Sequence, residues 1–178
     1  MEPNYRLVFN LADQPFRLDP SFIVPLVLTG VGALLVFKPD LMQRLLPRGP
    51  KGTARKIFSW FYFLFSAFMT VTFLVSTVGE SNRLRAAQKS GAVAVTQGCL
   101  QAFHPMPVSG HDTERLKING QTFAYSDYII TRAFHQTESH GGPVHADSKL
   151  KVSHVDGDIV RLEVADHACP TAPDIPNP

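Results

Sequence analysis

Two uncharged apolar blocks constrain this chain more than anything else in it. Residues 21–37 (SFIVPLVLTGVGALLVF) run seventeen residues without a charge. As a helix rising ~1.5 Å per residue they cover roughly 25 Å, slightly under the ~30 Å hydrocarbon core of a bilayer. Residues 57–78 hold twenty-two uncharged residues and cover roughly 33 Å, enough to span with some tilt. Asp19-Pro20 reads as an N-cap followed by a first-turn proline, and Pro25 falls where its missing N–H costs little. A leader peptide is a poor account of the first block. Glu2, Asp13 and Asp19 precede it where a basic region belongs, and no A-x-A site follows. Both blocks are therefore expected to be retained membrane helices, forming a hairpin.

Residues 38–56, between them, carry Lys38, Arg44, Arg48, Lys51, Arg55 and Lys56 against Asp40 alone. That bias places the loop in the cytoplasm and both termini outside. Leu41, Met42, Leu45 and Leu46 suggest a short interfacial helix that turns Arg44 and Arg48 toward lipid phosphates. Arg44, Arg48, Lys51, Arg55, Lys56, Trp60 and Tyr62 are the expected lipid-interface residues. Thr29, Gly30, Gly32 and Ala33 offer the first span a face for close helix approach. Neither span contains Asp, Glu, Lys, Arg or His. Ion paths, proton relays and intramembrane haem ligation need such groups, so the pair reads as an anchor.

Charge divides the chain at the same point. Residues 1–78 carry eight Lys/Arg against four Asp/Glu, and residues 79–178 carry nine against eleven. The second part lacks the basic footprint of nucleic-acid binding. Residues 1–20 read as an extracytoplasmic segment, 79–90 as a polar juxtamembrane neck, and 91–169 as a β domain. Residues 170–178, with four prolines in nine, read as a disordered tail.

Within the β domain, residues 92–103 alternate Val93, Val95, Cys99 and Phe103 on one parity. Glu114–Ile118 and residues 121–126 flank Asn119-Gly120, a type I′ hairpin signal that sets Leu116 opposite Phe123. A further strand is expected over 128–134, and a last hairpin pairs Lys149–Val155 with Asp158–Ala165 around Asp156-Gly157. About five strands without a crossover helix suggest a small all-β domain. An OB-like or SH3-like barrel is the first expectation and a small β-sandwich the alternative. Cys99 and Cys169, at opposite ends of that domain, are a disulfide candidate in an oxidising compartment.

All seven histidines lie beyond residue 100. His135, His140 and His145 recur at intervals of five around Gly141-Gly142-Pro143, which invites a transition-metal or cofactor reading. The interval resists it, because neither a strand nor a helix puts such residues on one face. No HxH, HExxH or CxxC spacing adds support. Ser126, Asp127 and a histidine would serve a hydrolase, yet no G-x-S-x-G elbow is present. The sequence points to no enzyme and no required cofactor. Tyr125, Asp127, Tyr128, His140, Gly141, Gly142 and Pro143 instead make a polar-aromatic contact surface on a strand end and a long loop.

The runs FHPMP (103–107), INGQTFAYSDYIIT (118–131) and SHGGPV (139–144) resemble an uncharacterised bacterial family of small membrane-anchored proteins. That family shares an NG hairpin, a YSDY motif and a GGP[IV] loop. Its pattern has Pro-Gly-Phe where this chain has Arg132-Ala133-Phe134. The resemblance implies an inner-membrane protein with a periplasmic β domain, and it brings no activity with it. The expectation is thus a non-enzymatic binding or assembly module, an accessory subunit in contact with lipid and another membrane protein.

Overall fold

A computed structural model describes residues 4–15, 20–38, 40, 52–109 and 112–175. The interfacial helix expected around Leu41–Leu46, together with Arg44, Arg48 and Lys51, lies outside the described residues. The chain divides into two compact units, one comprising residues 16–79 and the other 1–15 with 80–178.

The first unit holds two helices long and apolar enough to cross a membrane. They are α1 (Ile23–Phe37), entered through a 3₁₀ turn at Pro20–Phe22, and the part of α2 (Gly52–Ser90) that ends at Gly79. Their apolar windows are almost wholly exposed, unlike the core helices of a soluble protein. α1 and α2 meet where a glycine permits it. A Cβ on Gly32 would lie 2.9 Å from the Cα of Phe63. Nearby, the Thr29 and Thr70 hydroxyls bond each other at 2.7 Å, and the Pro25 carbonyl accepts from this pair at 3.0 Å. Small residues let backbones close, and hydroxyls then find partners where water is scarce. Gly30 has open space around it, so Thr29 and Gly32 carry the contact. Trp60 is half exposed, whereas Tyr62 packs beside Gly32.

The second unit is an antiparallel two-sheet domain. One sheet runs β1-β7-β6-β2 and the other β3-β4-β5. These strands are β1 (Tyr5–Asn10), β2 (Ala94–Cys99), β3 (Ala102–His104), β4 (Glu114–Ile118), β5 (Gln121–Tyr125), β6 (Lys149–Val155) and β7 (Asp158–Ala165). Both hairpins form in the expected register, with Leu116 opposite Phe123. Asn119 and Gly120 adopt φ 50° and 78°, and Asp156 and Gly157 adopt 52° and 97°. Positive φ at both central positions is the type I′ requirement. One core lies between the sheets, built from Phe103, Leu116, Ile118 and Phe123 on one side and Leu150, Val152, Ile159 and Leu162 on the other.

Five expectations change. The described strands do not close into a barrel; two sheets facing one core is the layering of the sandwich alternative. The single strand over 92–103 is two strands in different sheets, because Leu100 donates to Ser148 O (3.3 Å) and Gln101 to Lys117 O (2.8 Å). No strand forms over 128–134. Ser126 turns the chain instead, its carbonyl accepting from Ile129 N at 3.1 Å and its hydroxyl from Tyr128 N at 3.3 Å. The segment before the spans contributes β1, pairing Tyr5 with Ala165 and Asn10 with Arg161. The proline-rich end is ordered through Ile175. Phe103 N donates to Pro173 O (2.9 Å) and Ala172 N to Ala146 O (2.8 Å).

The neck is helix. From Glu80 to Ser90, α2 belongs to the β domain, with Leu84 buried against Leu11, Ala133 and Val160. Arg83 pairs with Asp156 at 2.8 Å and Asp158 at 3.2 Å, and Arg85 donates to Gln14 O at 2.7 Å. Cys99 and Cys169 are bonded, their Cα atoms 5.8 Å apart.

Candidate functional site

β5 ends at Tyr125 and leads into YSDY, whose side chains split by depth. Tyr125 and Ser126 are buried, Asp127 is half-buried, and Tyr128 is exposed. Opposite Tyr125 in the ladder stands Glu114, which shares its parity with Leu116 and Ile118 and so points inward. It is fully buried, accepting from the Tyr125 hydroxyl at 2.6 Å and from Glu138 N at 2.8 Å. Burial raises the Glu114 pKa, opposed by these two bonds and a third from the Met106 amide. Burial, followed by the nearby Glu114 charge, pushes the Tyr125 phenol well up. A buried carboxyl is tolerated only with such donors, so Glu114 ties the β4-β5 hairpin to the loop beyond it.

That loop is organised by Asp127. Its carboxylate accepts from Thr137 N at 3.0 Å and from the Thr137 hydroxyl, and its Oδ2 lies 2.7 Å from His140 Nδ1. Burial works to raise the Asp127 pKa, but the two Thr137 bonds and His140 hold it below its ordinary value. Thr137 precedes a 3₁₀ turn, Glu138–His140, which Gly141 closes at φ 82°. Gly142 N then donates to Thr137 O at 2.7 Å. Here the two glycines have different reasons. Gly141 supplies a left-handed backbone, and Gly142 supplies close approach, since a Cβ there would lie 2.5 Å from Gln136 O.

The three spaced histidines go to three places. His135 Nδ1 lies 2.9 Å from Ala133 O, His140 is on Asp127, and His145 Nδ1 is 2.7 Å from Glu138. No group of three metal-ligating side chains occurs among the described residues. Nor does a hydrolytic triad assemble there. The Ser126 hydroxyl faces Met106 Sδ at 3.4 Å, and Asp127 serves Thr137 and His140. Beside this network lies a cleft of about 200 Å³, lined by Tyr125, Ile129, Ile130, Phe134, Glu80 and Asp158 among others.

Glu114, Thr137 and Glu138 are the members the sequence reading missed. Glu114 had a signal, a charge on the apolar parity of its strand. Thr137 and Glu138 had none, because Asp127 lies ten residues before Thr137 in the turn after β5 and Glu114 lies in β4, twenty-four residues before Glu138. No protein-family model matches the chain, and no curated protein or solved structure matches it.

Proposed function

We propose that this protein is a membrane-anchored, non-enzymatic binding module, an accessory subunit of a bacterial inner-membrane complex with its β domain in the periplasm. The observation that carries the reading is β1. A strand that precedes the spans is hydrogen-bonded to the last strand that follows them, so the flanks of the helix pair share one side of the membrane. The basic loop between the spans argues that this side is outside, and the Cys99–Cys169 bond suits an oxidising compartment. In this reading α1 and α2 anchor, lipid contacts the exposed apolar surfaces of both, and the loop at 135–146 is the contact surface for a second membrane protein.

Support for that surface lies in how it is held. Asp127, Thr137 and Glu114 fix the loop from beneath, leaving His140 and Gly141 exposed. A pre-organised polar surface loses little entropy on binding. Purification of the tagged full chain in mild detergent tests this. A stoichiometric membrane partner is expected, retained by wild type and lost on His140→Ala with Pro143→Ala. A lone chain from membranes of its native host would refute the accessory role.

A further inference from the structure

After β7 the chain runs on through residues 166–175 as a strap without helix or strand. The strap lies against the edge of the smaller sheet. β3 is an edge strand there, paired with β4. Its Phe103 amide donates instead to Pro173 O at 2.9 Å, so the strap stands where a further strand would pair. Two more main-chain bonds tie it down, from Cys169 N to Asp147 O at 2.7 Å and from Ala172 N to Ala146 O at 2.8 Å. Asp174 adds an ion pair to His104 at 2.8 Å.

Little apolar surface holds this segment. Of residues 166–175 only Ala172 is buried, in the core that includes Leu100 and Phe103. A single methyl brings little hydrophobic stabilisation, and segments so lightly packed open before a core does. One covalent tie remains, the bond from Cys169 to Cys99 at the end of β2. Cys99 is exposed and Cys169 half-buried, so a thiolate reaches the bond from solvent. The strongest tie on a lightly packed segment is thus also the chemically reversible one.

We infer that the Cys99–Cys169 bond is a redox latch, whose reduction frees the strap and opens the edge of β3 while the two sheets stay folded. The co-reactant is a dithiol. Its thiolate attacks Sγ of Cys99, and Cys169 leaves as a thiolate that takes up a proton. The second thiol of the reductant then attacks the mixed disulfide and releases Cys99. Two electrons pass to the protein, which gains two thiols, and the reductant departs as a disulfide. β3 is left with an unpaired amide on an open edge, which an extended segment can pair with.

Amide hydrogen exchange on the full chain in mild detergent tests the latch, with and without dithiothreitol. The oxidised protein should protect the Phe103 amide. After reduction that amide should exchange at least ~10-fold faster than those of Val152 and Leu162, in the two central strands of the larger sheet. Its rate should be unchanged by low urea, as local opening requires. The Cys99→Ser, Cys169→Ser double variant should show the same fast Phe103 exchange without reductant. Two results would overturn the inference. If Phe103 and the central amides accelerate together, the bond only staples the whole fold. If Phe103 stays protected in the reduced protein and in the double variant, the non-covalent ties suffice and the bond controls nothing.

Discussion

Gly142 offers a sharp test of how the loop is held, because its neighbour Gly141 is a built-in control. An alanine Cβ at Gly142 would lie 2.5 Å from Gln136 O and 2.6 Å from both C and O of Thr137. All three are main-chain atoms, so no side chain can swing aside. Relief requires the turn to open, which breaks the 2.7 Å bond from Gly142 N to Thr137 O and drags Thr137 away from Asp127. Overpacking costs about 1–3 kcal/mol and a lost buried hydrogen bond adds ~1 kcal/mol. We therefore expect Gly142→Ala to destabilise by about 3 kcal/mol. At Gly141 there is open space and φ is 82°, so Gly141→Ala meets only the left-handed backbone cost of ~1 kcal/mol. For a domain of this size, 1 kcal/mol moves the melting temperature by about 4 °C. Calorimetry of the full chain in mild detergent should give shifts near 4 °C for Gly141→Ala and near 12 °C for Gly142→Ala. Hydrogen exchange should show the Thr137 amide losing protection only in the second. Equal shifts would refute the close-approach argument, as would a fully protected Thr137 amide in Gly142→Ala.

Two other outcomes follow from bonds described above. Breaking the Cys99–Cys169 bond, which closes a separation of 70 residues, should cost about 4 kcal/mol in the chain-entropy account. A reductant should then lower the melting temperature of wild type and leave a Cys99→Ser, Cys169→Ser double variant unmoved. His104 holds the C-terminal segment, its Nδ1 lying 2.8 Å from Asp174 and its Nε2 3.3 Å from Asp112. The Asp174 bond is the main reason its pKa is raised, against an opposing effect of burial. A raised histidine pKa contributes stability that is full below the unfolded value of ~6.5 and is lost as pH rises through the folded value. Limited proteolysis of residues 166–175 should therefore accelerate as pH rises from that point, and His104→Ala should be fast and independent of pH.

What the sequence made legible was local. Asn119-Gly120 and Asp156-Gly157 announce their turns through residues that accept positive φ, and each strand pair beside them follows from alternation alone. The two long apolar helices were legible for the same reason: an uncharged apolar run is contiguous. Features that depend on remote partners were not. Tyr5, Leu7 and Phe9 alternate like a strand, yet nothing near them reveals that β7 waits at the other end of the chain. Ile129-Ile130-Thr131 has strand composition, and the chain turns there because the Ser126 hydroxyl and carbonyl claim the amides of Tyr128 and Ile129. The prolines of the C-terminal segment suggested disorder, although their carbonyls are free to accept and Pro173 does so from Phe103. In the candidate site, YSDY and GGP were visible as motifs, but the splitting of the histidines among Ala133, Asp127 and Glu138 needed coordinates.

The pairing of β1 with β7 also sets a timetable for biosynthesis. Tyr5 and Ala165 are partners, so a ribosome adding ~5–20 residues per second completes β7 roughly ten to thirty seconds after β1 has emerged. In the membrane-anchored reading proposed above, both helices would insert during that interval while β1 remains an unpaired edge. On the proposed topology, strand closure would then follow the crossing of the two helices in opposite directions. A nascent chain whose first span failed to insert would strand β1 on the wrong side, leave β7 with an open edge, and present quality-control proteases with an incomplete sheet.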